Sequence, residues 1–217
     1  MTIETWDDLD FWRSGEWQVI EERLDALDQA GTTYCPEREL MFSALDATPY
    51  ASTRVCIVGQ DPYPDPKFAT GMAFSIPKSL RKFPPTLANI LQEYCTDLHY
   101  DYPKNGSLEK WCEQGVLLWN CIPSCEAWKS MSHDWTEWSY LTKEIVQRLS
   151  EKGIVFCFLG SVAQRYTQYV GDDNARIFLA SHPSRLGARS GRNPFLGSRP
   201  YSSINSALKQ GHIDWRL

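Results

Sequence analysis

Apolar positions along the chain follow two different periods. Over residues 17–30, Trp17, Ile20, Leu24 and Leu27 recur at helical spacing, which predicts an amphipathic opening helix. Four short continuous apolar runs follow: Arg54-Val-Cys-Ile-Val-Gly59, Val116-Leu-Leu-Trp119, Ile154-Val-Phe-Cys-Phe-Leu159 and Arg176-Ile-Phe-Leu-Ala180. Unbroken runs this short predict strands buried on both faces. Helical patterns lie between and after them, at about 86–96, 135–151, 161–170 and 201–210.

Strands alternating with helices predict a parallel sheet covered on both sides. The expected fold class is α/β: a single-domain, three-layer α/β/α arrangement with a central four-stranded parallel sheet. Residues 1–50 read as an N-terminal helical region and 51–217 as the catalytic core. In such sheets, ligands sit at the carboxyl ends of the strands. Just past the four runs stand Gln60-Asp-Pro-Tyr63, Asn120-Cys-Ile-Pro123, Gly160-Ser161 and Ser181-His-Pro-Ser-Arg-Leu186. Polar groups emerging after every run point to a site along one edge of the sheet.

Composition narrows the class. A chain of 217 residues with 42% hydrophobic and 23% charged residues is long enough to bury a core without staples. The seven cysteines include no CxxC pair, so zinc and iron–sulfur signatures are absent and free thiols in a reducing compartment are expected. No apolar run approaches the ~18 residues of a membrane span, so no membrane association is expected. The acidic start (Glu4, Asp7, Asp8, Asp10) is unlike a secretory signal. The expected location is intracellular: cytoplasmic if bacterial, otherwise with the DNA.

A net charge of −5 argues against a nucleic-acid partner, but its distribution argues for one. Residues 1–30 carry nine acids, whereas no acid lies between Asp173 and Asp214, an interval holding Arg176, Arg185, Arg189, Arg192, Arg199 and Lys209. Such asymmetry suggests one face for an anionic partner.

Asp61 follows the first strand and precedes a proline; on position alone it reads equally as the cap of its turn. His182 follows the fourth strand, and a lone histidine is more often structural. The GxSxG, GxxxxGKS and GxGxxG motifs are all missing. What remains is an acid/base pair, a polar reader in Asn120, aromatics in Tyr63 and Phe74, and an arginine-rich loop. That inventory suits hydrolysis at a nucleobase better than phosphoryl or hydride transfer.

Several of these segments resemble the family 1 uracil-DNA glycosylases. Gly59-Gln-Asp-Pro-Tyr63 is similar to the family's water-activating loop, and Gly71-Met-Ala-Phe-Ser75 to its base-stacking segment. Pro84-Pro-Thr-Leu87 resembles the proline-rich loop, and Gly115-Val-Leu-Leu-Trp-Asn120 the uracil-specificity strand. His182-Pro-Ser-Arg-Leu186 followed by Gly197-Ser-Arg-Pro-Tyr-Ser202 resembles the leucine loop and the helix after it. Ser132-His133, Gly160-Ser161 and Ile213-Asp-Trp215 match weaker landmarks, and the whole likeness runs in order from about residue 54 to 217.

The resemblance implies a cofactor-free and metal-free DNA glycosylase that hydrolyses the N-glycosidic bond of a flipped-out uracil, leaving an abasic site in base excision repair. Asp61 and His182 would be catalytic. Gln60, Tyr63, Phe74 and Asn120 would bind the base. Thr86, Ser161, Ser184, Leu186, Arg189 and Arg192 would engage DNA, with Leu186 as the wedge; the hydroxyls also suit ordinary turn capping. The implied partners are single- or double-stranded uracil-containing DNA and a protein inhibitor of such enzymes, and the implied state is a monomer. Departures are Pro64 in place of a histidine, Thr86 in place of a serine, Arg185 in place of a proline, bulky Trp119 and Cys121 beside Asn120, and a longer basic loop after Leu186. Pro64 also occurs in viral members. Two alternatives stay open: a glycosylase of the same fold for another modified pyrimidine, and a catalytically silent DNA-binding or replication-accessory module.

Overall fold

The computed structural model describes residues 4–171 and 176–217. In chain order the helices are α1 (Glu16–Gln29), α2 (Ser43–Ala47), α3 (Pro85–Leu98), α4 (Glu109–Cys112), α5 (Thr136–Glu151), α6 (Ser161–Gln164) and α7 (Pro200–Ala207). The strands are β1 (Tyr34–Cys35), β2 (Val55–Gly59), β3 (Val116–Asn120), β4 (Cys125–Glu126), β5 (Val155–Leu159) and β6 (Arg176–Ala180).

The expected sheet is present: β3-β2-β5-β6, all neighbours parallel. Ile57 pairs in register with Leu118 on one side and Cys157 on the other. This row packs toward Ile90 of α3 and Ile204 of α7. The alternate row faces the other way, where the Trp119 indole donates to Thr142 of α5 at 2.9 Å. Helices α1 and α5 pack together on that side, and α3 and α7 pack together on the opposite one. The N-terminal residues join the same core: Phe11 is fully buried and its backbone N–H binds Glu144 of α5 at 3.0 Å.

Three details depart from the pattern reading. One face of the edge strand β6 is left uncovered, with Ile177 and Leu179 40% and 42% exposed, whereas the opposite edge strand β3 is buried throughout. The expected helix at 161–170 is one α turn that tightens into a 3₁₀ segment over Arg165–Tyr169. There aromatic and β-branched side chains disfavour α geometry, and the Thr167 hydroxyl bonds the Gln164 carbonyl at 2.8 Å. The antiparallel pair β1–β4 has no periodic signal, being two residues per strand. All seven cysteines are free, six of them buried. Among the described residues no helix is long and apolar enough to cross a membrane, and no group of three His, Cys, Asp or Glu residues could hold a metal ion.

Two acids on α3 organise the start of α7. Glu93, 1% exposed, accepts from the backbone N–H groups of Gly197 (2.6 Å) and Arg199 (2.8 Å). Asp97 accepts from the Ser202 N–H at 2.9 Å and from Arg199 Nε at 3.3 Å. Glu93→Ala would leave two part-buried donors without acceptors, at about 1–2 kcal/mol each. The variant is expected to lose about 2–4 kcal/mol in urea unfolding, with m unchanged.

Candidate active site

The β2–β3 ladder continues past the strand ends. Gly59 pairs with Asn120, and the chain then adds Cys121 N–H to the Gly59 carbonyl (3.1 Å) and Ile122 N–H to the Gln60 carbonyl (2.9 Å). Strand alternation sends Asn120 to the face opposite Trp119. Gly59 lies directly beneath it: a Cβ there would meet Asn120 Oδ1 at 2.8 Å and the Phe74 ring at 2.9 Å. Only glycine leaves room for the amide and the ring together.

Phe74 holds a left-handed backbone, φ 65°. That conformation is costly for an aromatic residue and persists because its neighbours impose it. The Ala73 N–H is tied to the Leu118 carbonyl (2.9 Å), and the Tyr63 hydroxyl donates to the Phe74 carbonyl (3.0 Å). Burial raises the Tyr63 pKa, so this donor keeps its proton. Asn120 is 5% exposed, and its amide makes no hydrogen bond among the described residues. An amide with no protein partner is open to hydrogen bonding from a bound polar ring. Trp119 and Cys121 do not enter this space: the Trp119 indole reaches Thr142, and the Cys121 thiol donates to the Gln60 carbonyl at 3.3 Å.

Asp61 is half-buried and accepts from three donors. Gln60 Nε2 reaches Oδ1 at 3.0 Å, while the Ser130 hydroxyl (2.6 Å) and the Met131 N–H (2.7 Å) share Oδ2. The carboxylate is therefore oriented from a different segment, and the turn-cap reading does not describe its contacts.

His182 packs against Gly160, where a Cβ would lie 2.9 Å from the histidine Cβ; the Gly160 φ of +94° requires glycine as well. The imidazole Nδ1 accepts from the Ser184 N–H at 3.1 Å, which places the neutral ring's proton on Nε2. Burial pushes the His182 pKa down, and the charge of Asp61 opposes that only in part. The ring lies 6.1 Å from that of Phe74. The site thus holds an oriented carboxylate, a neutral imidazole with a free N–H, an aromatic face and an unpaired amide.

The residues expected from the sequence to engage DNA lie on neighbouring segments. Leu186 is 86% exposed. Its loop is compact: Asn89 of α3 donates to the Pro183 carbonyl (2.9 Å), and Ser181 N–H binds the Asn193 carbonyl (2.7 Å). Arg189 and Arg192 are exposed on it. Thr86 is in the first turn of α3, whose Asn89 grips the loop, and exposed Ser161 follows Gly160. The Ser184 hydroxyl already accepts from the Gly187 N–H at 3.2 Å, so one of its lone pairs is engaged as a turn cap. Pattern reading missed Ser130 and Asn89, which lie 69 and 94 residues from their partners with no local signal.

Comparison with known proteins agrees with this geometry. Residues 45–209 match the Uracil DNA glycosylase superfamily. A uracil-DNA glycosylase of Coxiella burnetii (strain CbuG_Q212) is 42% identical over 206 residues, spanning 93% of this chain and 88% of that protein. One from Bacillus anthracis (strain CDC 684 / NRRL 3495) is 39% identical over 84% of this chain and 81% of its own. The crystal structure of mimivirus uracil-DNA glycosylase superposes with a TM-score of 0.86 at 26% identity, covering 96% of this chain and 85% of that one. A mimivirus UNG variant in complex with UGI superposes with a TM-score of 0.87, again at 26% identity, covering 96% and 87%.

A second histidine braces the segment that grips Asp61. His133 is 1% exposed, bonds the Ser124 hydroxyl through Nδ1 (2.9 Å), stacks on Trp135 at 4.1 Å and leaves Nε2 without a partner. Burial pushes its pKa down to about 4. Its folded pKa lies below the unfolded one, so its contribution is whole above pH 6.5 and is lost as pH falls toward 4. Stability is expected to fall by about 3 kcal/mol across that window, and His133→Gln should flatten most of the slope in denaturant titrations at several pH values.

Proposed function

The chain belongs to the uracil-DNA glycosylase superfamily, and from that premise we propose that it removes uracil from DNA by hydrolysing the N-glycosidic bond. The product is an abasic site, the first intermediate of base excision repair. The carrying observation is Asp61, oriented by three donors, together with His182, whose Nδ1 is already committed and which feels the Asp61 charge.

Bond breaking passes through a sugar with oxocarbenium character, as in glycoside hydrolysis. Asp61 stabilises that cation and orients the attacking water. The leaving base carries negative charge on O2. There His182 donates from Nε2 and the Gln60 backbone N–H assists, preorganised donors worth ~3–4 kcal/mol each. Phe74 stacks on the extruded base. The Asn120 amide offers an acceptor to N3–H and a donor to O4, and Tyr63 fills the space beside C5. Leu186 occupies the gap in the helix, while Thr86, Ser161, Ser184, Arg189 and Arg192 hold phosphates. The partners are DNA and a protein inhibitor of the kind seen on the mimivirus enzyme.

Uracil is favoured over a bulkier pyrimidine because Trp119 and Cys121 point away from the base pocket. The modified-pyrimidine alternative keeps one supporting fact, the Asn120 amide that no neighbour locks.

Asp61→Asn is expected to lower turnover by at least ~10²-fold while product DNA still binds, and wild-type activity should persist in EDTA. Full activity in the variant, or loss of parent activity in EDTA, sinks the mechanism. In a competition within one duplex context, uracil should be released at least ~10-fold faster than 5-substituted uracils and cytosines. Asn120→Asp exchanges a donor for an acceptor, so it should admit cytosine and weaken uracil excision. A modified pyrimidine released faster than uracil would favour the alternative.

A further inference from the structure

Two large apolar side chains stand out from the surface among the described residues: Leu186, 86% exposed, and Trp128, 69% exposed. The first has a role above; the second has none. Trp128 belongs to the same segment that orients the catalytic carboxylate. Its N–H donates to the Pro64 carbonyl at 2.7 Å, three residues beyond Asp61. Two residues later the Ser130 hydroxyl reaches Asp61 itself.

The residue also sits where a tryptophan is unfavourable. Lys129 N–H closes a turn onto the Glu126 carbonyl at 3.1 Å, and Trp128, in its third position, has φ 67°. A turn with positive φ at that position takes glycine by preference. The indole pairs with no other ring, and its N–H meets no acceptor among the described residues. A strained, exposed aromatic beside an oriented catalytic group is the kind of outlier from which a functional role is inferred.

We infer that Trp128 is a stacking platform for a nucleobase flanking the extruded one, used when the substrate is single-stranded. The inference rests on the proposed function, which puts a DNA strand across Asp61. An indole face accepts any base, so the contact adds affinity without sequence preference. A duplex keeps its flanking bases stacked on one another, so the platform acts chiefly on unpaired strands.

The test compares the parent, Trp128→Gly and Trp128→Phe on one single-stranded uracil-containing oligonucleotide. Kd is read separately, by fluorescence anisotropy on the same strand carrying an abasic-site analogue. Trp128→Gly is expected to raise KM and Kd about tenfold, the scale of one lost base–aromatic stack. Its melting temperature should equal or exceed the parent's, because glycine relieves the turn. Trp128→Phe keeps a ring and should stay within about threefold of the parent. Values for Trp128→Gly within about twofold of the parent, or a Trp128→Phe as weak as Trp128→Gly, overturn the inference. A parent that binds the abasic strand but releases no uracil counts against the proposed function instead, and the anisotropy comparison still decides the role of Trp128.

Discussion

The parallel ladder between β2 and β3, carried two residues past the strands, is the constraint on which the candidate site depends. By joining Cys121 to Gly59 and Ile122 to Gln60, it fixes where two loops leave the sheet. Gly59 is pressed under Asn120 and Phe74 with no space for a methyl group. Close packing of this kind is stiff, because any displacement meets backbone or ring atoms. The Asn120 amide, the Phe74 ring and the start of the Asp61 loop are therefore positioned as one unit, while Trp119 is turned into the opposite layer.

Local strain is concentrated around that unit. Phe74, Trp128 and Met131 all hold positive φ, and each is tied by backbone hydrogen bonds to its surroundings. Conformations that cost energy persist when the fold over-determines them, and the benefit is preorganisation. Asp61 illustrates it: both oxygens are committed to donors from the protein before any substrate arrives. His182 is treated in the complementary way, with one nitrogen engaged and burial favouring the neutral ring. An imidazole in that state keeps its Nε2 proton available for donation to a developing anion.

Helix α3 ties down both ends of the segment that carries Leu186. Its Asn89 holds the Pro183 carbonyl of the leucine loop, and its Glu93 and Asp97 anchor the chain where that loop returns into α7. Buried carboxylates serve this purpose well because a charged acceptor can satisfy two backbone donors at once. The loop can thus present an exposed leucine and several arginines while its ends remain fixed.

The sheet, its helices and the residues at its carboxyl edge were legible in the sequence because each depends on local periodicity or on a run of adjacent residues. Asp61, Asn120 and His182 stand immediately after apolar runs, and the order of the motifs around them carries the family likeness. The uncovered face of β6, the break after α6 and the β1–β4 pair were not legible, since they depend on which neighbour covers a strand or helix. Nor were the contacts of Asp61 legible, since they come from Ser130 and Met131, 69 and 70 residues away. The tautomer of His182 required seeing which backbone N–H meets Nδ1. Sequence alone determined which chemical groups reach the edge of the sheet; only the tertiary structure decided how they are aimed, because aim is set by contacts between segments that share no local pattern.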